Sequence, residues 1–268
     1  MSKQQSKGDF GAVFAAVAIP LAIVVGYVLY YVVLGAASNF EEGNRETGDH
    51  LNILGLMFKG GPIVGLLIAV NIIVLTFGIE RFISLSNAKG KGSIDRFVRN
   101  IRGLLNNGQI DSAIAECDRQ RGSVAAVLRS GLTKYKAIDG DTSLDKEGKI
   151  TALKQELEEA TSLELPMLSK NLIILSTCAS LGVLIGLLGT VSGMIRSFDA
   201  MSQSGAQDAT ALSAGISEAL WNTFLGIAAS AIAIILFNFF SNKIDSMTYG
   251  IDEAGYSVVQ TFATKHTS

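Results

Sequence analysis

Four long apolar stretches constrain this 268-residue chain more than any other feature of its sequence. Each has close to, or more than, the ~20 residues that an α-helix needs to cross the hydrocarbon core of a bilayer. The hydropathy pattern therefore predicts an all-α, polytopic membrane protein with four transmembrane helices. The predicted helices cover residues 10–37, 62–83, 169–195 and 213–240. They leave polar segments at 1–9, 38–61, 84–168, 196–212 and 241–268.

The first apolar stretch admits two interpretations. Ala36, Ala37 and Ser38 resemble the small-residue cleavage site of a signal peptide. The apolar run is, however, much longer than the core of about 7–15 residues that signal peptides have. We therefore expect a retained transmembrane helix, in which Pro20 is tolerated because neighbouring helices satisfy the carbonyl that it frees.

Basic residues are concentrated in one polar segment. Of the 22 Lys and Arg residues, 13 lie in residues 84–168, whereas the stretches 38–61 and 196–215 together hold three. Because loops on the cytoplasmic side are enriched in Lys and Arg, we expect residues 84–168 in the cytoplasm. Four spans then place both termini in the cytoplasm, and segments 38–61 and 196–212 in the periplasm.

Apolar residues recur at helical spacing within residues 84–168, which predicts a cytoplasmic helical domain. The first stripe consists of Ile94, Phe97, Val98, Ile101, Leu104 and Leu105, and the second of Val124, Val127, Leu128, Leu132 and Tyr135. A long charged helix is predicted from Ile150, with Leu153, Leu157 and Leu163 facing inward. We expect it to continue through a kink at Pro166 to residue 195, roughly 70 Å in all at 1.5 Å per residue.

The residue types of catalytic and metal sites are not grouped in this sequence. Cys117 lies in polar sequence and Cys178 in apolar sequence, so we expect no disulfide. Asp139, Asp141 and Asp145 resemble a calcium loop, but the sixth position from Asp139 is Leu144 instead of the required glycine. We predict no enzyme, no metal and no cofactor, and the net charge of −2 gives no case for a nucleic-acid partner.

Small residues distinguish the last two spans from ordinary lipid-facing sequence. Gly182, Gly186, Gly189 and Gly193 form two GxxxG pairs on one helix face, and Gly226 belongs to a row of small residues in the last span. Such faces let two backbones approach closely. We predict that these five glycines pack the helices together.

Polar residues lie among the small ones: Thr190 in the third span, and Glu218, Asn222, Thr223 and Ser230 in the last. Polar groups inside a membrane usually mark a pathway, so we predict that the two helices form the wall of an ion-conducting channel, with Thr190, Glu218, Asn222 and Thr223 lining it. Thr190 has an alternative, a hydrogen bond to the carbonyl four residues before it. Glu218 also has one, as an acid favoured by the dipole at a helix N-terminus. Asn71, in the second span, either bonds a neighbouring helix or belongs to the pathway.

These residues resemble a known family. The stretch GLLGTVSGMIRSF at 186–198 and the stretch EALWNTFLGIAASAIAIILFN at 218–238 are similar to the last two helices of TolQ and ExbB proteins, and Glu164 to Pro166 resembles the approach to them. The resemblance is specific over residues 163–238 and one of layout over 58–168. The chain is identified on these motifs as an ExbB-like member of the MotA/TolQ/ExbB family.

The resemblance implies a homopentamer in the inner membrane whose last two helices line a central pore. It implies an ExbD- or TolR-like single-span partner in that pore, with an aspartate that takes up and releases protons, and a TonB-like protein that receives the work. Thr190 and Thr223 would be polar groups near that aspartate, and Glu218 the acid at the pore end. The chain departs from its relatives in lacking proline in the last helix and near Leu181, and in its additional first span.

Three functions follow as hypotheses. The first is a proton-channel motor subunit that energises TonB-dependent outer-membrane transport. The second is a TolQ-like subunit for envelope integrity, or a gliding-motility motor. The third, of a different class, is a structural membrane scaffold without ion flux.

Overall fold

The computed structural model describes residues 2–45, 48–140, 144–204 and 209–265, and it is almost wholly helical. A π-helical turn, Leu29–Leu34, follows the first helix directly. The helices are α1 (Ser2–Val28), α2 (Ile53–Lys59), α3 (Pro62–Lys89), α4 (Ile94–Asn106), α5 (Ile110–Gln120), α6 (Gly122–Asp139), α7 (Lys146–Ser169), α8 (Leu172–Ser204) and α9 (Ala209–Lys265). The β-structure among the described residues is one isolated bridge between Phe40 and His50. The predicted all-α fold is confirmed.

Four helical stretches of the described chain are long and apolar enough to cross a membrane. They are Val13–Leu34, Pro62–Asn106, Lys146–Asp199 and Gly215–Thr264. Their exposed side chains are mostly Val, Leu, Ile and Phe, which suits a hydrocarbon surrounding. The prediction of four transmembrane helices is therefore confirmed, and α1 includes the additional first span.

The chain forms two compact units. The first consists of Met1–Glu80 and Asn171–Asn238, and the second of Arg81–Lys170 and Phe239–Ser268. The second unit contains α4 to α7 together with the end of α9. Its core is built from the two predicted stripes, since Ile101 and Leu105 of α4 and Leu128, Leu132 and Tyr135 of α6 are all buried. The Tyr135 ring meets Phe262 of α9 edge to face, with the ring centroids 4.6 Å apart.

The inward face of α7 differs from the prediction at one position. Leu153 and Leu157 are buried, but Leu163 is 57% exposed. Leu157 packs where a side chain on Gly131 would otherwise lie. Six residues separate Leu157 from Leu163, and at 3.6 residues per turn that spacing turns Leu163 well away from the packed face. The prediction that Leu163 faces inward was wrong for this reason.

The predicted single helix from Ile150 to residue 195 is also wrong. Helix α7 ends at Ser169 and α8 begins at Leu172, whereas Pro166 lies inside α7 without ending it. The break is at Asn171, whose φ of 61° is left-handed. Asn tolerates that conformation better than most residues and commonly stops helices. Buried Arg81 donates from Nη1 to the carbonyl of Leu168 at 3.3 Å, which satisfies a carbonyl left free at the helix end.

The segment between α1 and α3 folds against the end of α1. Asn52 caps α2 by accepting a hydrogen bond from the backbone of Gly55 at 3.0 Å. The hydroxyl of Tyr30 donates to the carbonyl of Phe58 at 3.0 Å, and the two rings stack. The turn Gly60–Gly61 then leads from α2 into α3, where Gly61 has a φ of +90°.

The predicted loop residue Asp141 lies outside the described residues.

Candidate functional site

Helices α8 and α9 meet backbone to backbone along the row of glycines. A Cβ on Gly182 would lie 2.8 Å from the carbonyl oxygen of Gly226, and a Cβ on Gly186 would lie 2.9 Å from the carbonyl oxygen of Asn222. Gly193 likewise faces Ala219, and Gly189 faces the side chain of Asn222. Any larger side chain at these places would separate the helices. The spacing of small residues therefore decides how closely the polar groups of the two helices approach.

Two of the predicted pathway residues meet across this interface. The hydroxyl groups of Thr190 on α8 and Thr223 on α9 hydrogen-bond to each other. Both also lie near the Gly186 carbonyl oxygen, at 3.1 Å from the Thr190 hydroxyl and 3.4 Å from the Thr223 hydroxyl, so the two hydroxyl protons are shared among three contacts. Thr190 thus makes the own-helix bond and contacts Thr223 as well. Both residues are half-buried within the chain.

Ser230 continues the polar line along the same face of α9, seven residues after Thr223. Its hydroxyl donates to the carbonyl of Ala179 on α8. Ser230 is one of the polar residues of the last span, but it was not among the four residues predicted to line the channel. A spacing of seven residues, which returns to the same helix face, is the signal that could have found it.

Asn222 is placed differently from the two threonines. Its side chain is 0% exposed, and its amide Nδ2 donates to the carbonyl of Gly60 at 3.0 Å. The other amide atom, Oδ1, is buried and has no hydrogen-bond partner among the described residues. Arg196 of α8 donates from Nη2 to the same Gly60 carbonyl at 3.4 Å. Asn222 therefore lies inside the chain, next to two residues, Gly60 and Arg196, that sequence patterns did not indicate.

Glu218 lies one turn before Asn222 and is half-buried. Since α9 begins at Ala209, Glu218 falls in its third turn, beyond the first turn where the helix dipole acts on an acid. The basic groups that act on its carboxylate are Lys59, His50 and Arg196. The carboxylate is thus set among groups from α8 and from the segment before α3.

Asn71 makes the helix-to-helix bonds of its first interpretation. Its amide donates to the carbonyl of Leu67 on its own helix at 2.9 Å and to that of Leu225 on α9 at 3.4 Å. Both acceptors are backbone groups. This arrangement joins α3 to α9 and needs no role in a pathway.

The chemistry of the site is that of hydroxyl and amide groups with one acid at an end. Between Glu218 and Lys243, α9 carries no ionisable side chain, and residues 172–195 of α8 carry only the thiol of Cys178. The described residues also contain no group of three side chains that could hold a metal ion. The hydroxyl groups can exchange hydrogen bonds with water or with a protonated group.

Comparison with known proteins adds a family to this geometry. Residues 120–253 match the family model of the MotA/TolQ/ExbB proton channel family. The chain is 42% identical over 89 residues to a putative biopolymer transport protein ExbB-like 3 of Synechocystis sp., across 32% of this chain and 42% of the relative. It is 27% identical over 213 residues to the biopolymer transport protein ExbB of Pseudomonas putida, across 76% of this chain and 61% of the relative.

A third relative is matched over most of its own length. It is the Tol-Pal system protein TolQ of Haemophilus influenzae, which is 30% identical over 217 residues, across 76% of this chain and 92% of the relative. The matches to the first two relatives cover less than two thirds of their lengths. Proteins of both names are therefore similar to this chain.

Proposed function

The chain belongs to the MotA/TolQ/ExbB proton channel family as an ExbB-like member and is a multi-pass protein of the inner membrane, and on that premise we propose that it is the motor subunit that couples proton flow to TonB-dependent outer-membrane transport. The observation that carries the proposal is the contact between the Thr190 and Thr223 hydroxyls at the α8–α9 interface. It places two hydroxyl groups against each other at the interface of two largely apolar helices.

The proposed subunit supplies half of the proton pathway. A proton crossing a membrane needs groups that accept and release it, and the apolar stretches of α8 and α9, residues 172–195 and 215–242, hold one acid, Glu218, which lies away from mid-span. A single-span partner of the ExbD type, with a carboxyl group in the membrane, completes the pathway. The hydroxyl oxygens of Thr190 and Thr223, whose own protons are shared between the Gly186 carbonyl and each other, accept a hydrogen bond from that carboxyl group when it is protonated or from water beside it. Glu218 receives protons at the pore end.

The proposed assembly is a pentamer around the partner, with residues 84–168 and both termini in the cytoplasm. The concentration of 13 of 22 basic residues in 84–168 supports this orientation. A closed ring presents five copies of each hydroxyl and each acid. The ring thus offers equivalent positions to the partner, as a stepwise motor requires.

Proton flux in liposomes tests the proposal. The chain is co-purified with its small single-span partner, and internal acidification is followed with a pH-sensitive dye. Thr223→Val removes a hydroxyl at nearly constant shape, and Glu218→Gln removes a charge. We expect each variant to assemble normally and to lower the flux at least tenfold.

Thr177→Val is the matched control, because Thr177 lies on α8 but is exposed and bonds the Ile173 carbonyl of its own turn at 2.8 Å. Its flux should equal that of the wild type. Wild-type complexes without flux would identify a structural scaffold and refute the motor. A deletion strain that becomes sensitive to detergent but retains TonB-dependent uptake would assign the TolQ-like function instead, which the similarity to TolQ of Haemophilus influenzae supports.

A further inference from the structure

The carbonyl of Gly60 is a meeting point for α8 and α9. Asn222 of α9 donates to it from Nδ2 at 3.0 Å, and Arg196 of α8 donates from Nη2 at 3.4 Å. The acceptor lies 162 residues before Asn222, in the turn between α2 and α3. One backbone oxygen thereby joins three separate parts of the chain.

The turn at Gly60 and Gly61 packs tightly against both α8 and α9. A Cβ on Gly60 would lie 3.1 Å from the carbonyl oxygen of Glu218, so the turn packs on the backbone of α9 at the acid itself. A Cβ on Gly61 would lie 2.9 Å from both Nη atoms of Arg196, so the guanidinium covers the second glycine. With a φ of +90°, Gly61 also has a backbone conformation that other residues rarely adopt.

Burial makes the bond from Asn222 important. Its side chain is 0% exposed, and an apolar replacement would leave the Gly60 carbonyl with the longer bond from Arg196, at 3.4 Å, and with no water to replace the lost donor. Within the turn of α9 that carries Glu218, Asn222 is the side chain that ties the helix to the Gly60 carbonyl. The position of the Glu218 backbone therefore depends on a bond made four residues further along the helix.

We propose that Asn222 and Arg196 are positioning residues, which anchor α9 and α8 on the Gly60 carbonyl and so hold the carboxylate of Glu218 at its place in the proton pathway. The inference rests on the proposed function of Glu218. Neither residue carries the proton. Arg196 has a second effect, because it brings a positive charge to Glu218, where Lys59 and His50 are the other basic groups.

The chain offers a matched control for Asn222. Asn71 also donates its amide to a backbone carbonyl across a helix interface, at 3.4 Å to Leu225. It lies on α3 and touches neither Gly60 nor Glu218 through a hydrogen bond that the structure records. Asn222→Leu and Asn71→Leu are therefore the same chemical change at two interhelical bonds. The bond of Asn222 ends on the Gly60 carbonyl, and that of Asn71 does not.

The test is proton flux in liposomes containing the complete complex, with assembly checked by size-exclusion chromatography. We expect Asn222→Leu to assemble and to lower the flux at least tenfold, and Asn71→Leu to stay within twofold of the wild type. Arg196→Met should lose flux to a similar degree. Arg196→Lys keeps both a donor and a positive charge, so it should recover at least half of the wild-type flux.

Three results would overturn the inference. Asn222→Leu and Arg196→Met could retain flux while Glu218→Gln loses it, which would leave the proposed function standing without the anchor. Arg196→Lys could be as inactive as Arg196→Met in an assembled complex, which would show that the positive charge and the hydrogen-bond donor of Arg196 do not explain its effect on the flux. A wild-type complex without flux would refute the proposed function and this inference together. Should Asn222→Leu fail to assemble, the two Arg196 variants decide the matter alone.

Discussion

Replacing Gly226 with alanine adds one methyl group where the backbone of α8 already lies. The new Cβ would be 2.9 Å from the Cα of Gly186 and closer still to the carbonyl oxygen of Gly182. Ordinary contacts of a Cβ begin near 3.4 Å. Because both obstacles are backbone atoms, no side chain can turn aside, and the two helices must separate by about 0.5 Å or more.

The cost has two parts. Overpacking of a close interface costs about 1–3 kcal/mol. The separation also stretches the hydrogen bonds from Thr190 to Thr223 and from Ser230 to the Ala179 carbonyl, each of which contributes about 1 kcal/mol. Alanine returns about 1 kcal/mol through its higher helix propensity. We expect Gly226→Ala to lower the free energy of unfolding by about 2–4 kcal/mol.

Gly103 provides the control, because it lies inside α4 with nothing within 4 Å of its would-be Cβ. Gly103→Ala should therefore raise the free energy of unfolding by about 1 kcal/mol through helix propensity alone. The two variants are compared by denaturant titration in detergent, followed by far-ultraviolet circular dichroism. The reasoning is refuted if Gly226→Ala is as stable as the wild type, or if both substitutions change stability by the same amount and sign.

Two further predictions concern the second unit. Burial raises the pKa of the Cys117 thiol from 9.0 to about 12, so the contribution of this thiol to stability is complete below pH 9 and is lost between pH 9 and about 12. Cys117→Ala should abolish this loss of stability when the free energy of unfolding is measured against pH. A wild type whose free energy of unfolding does not fall over this range would contradict the burial of the thiol. Gly90 and Gly92 both have positive φ, but a Cβ on Gly90 would meet the carbonyl oxygen of Gln120 at 2.6 Å whereas Gly92 has nothing within 4 Å. Gly92→Ala should lower the free energy of unfolding by about 1–2 kcal/mol through its backbone conformation alone, and Gly90→Ala should lower it by clearly more. Equal losses in denaturant titration would show that the contact between residue 90 and the Gln120 carbonyl contributes nothing.

The number of membrane-spanning helices could be predicted from the sequence because hydropathy and length are local properties. The stripes of α4 and α6 were likewise predicted, since a repeat of three and four residues places apolar side chains on one helix face wherever that helix packs. The same reasoning applies to the glycines from Gly182 to Gly193, whose spacing places four residues without side chains on one face of α8. Such a face can pack closely against another helix, so this interface could be predicted before its partner was known. Thr190, Thr223 and Glu218 could be chosen as polar residues within apolar spans, and the resemblance to TolQ and ExbB proteins added the roles expected of them.

Other features depended on parts of the chain that are distant in sequence. Two mistaken predictions had local causes instead, since one left-handed residue, Asn171, separates α7 from α8, and a spacing of six residues turns Leu163 away from the face that carries Leu157. The contact between Thr190 and Thr223 needed α8 and α9 to align in one register. The anchoring of Asn222 and Arg196 on Gly60 joins residues more than 130 positions apart. Local patterns determine which face of a helix can pack, but only the folded chain determines which carbonyl that face meets, because the partner is chosen by the packing of all the helices together.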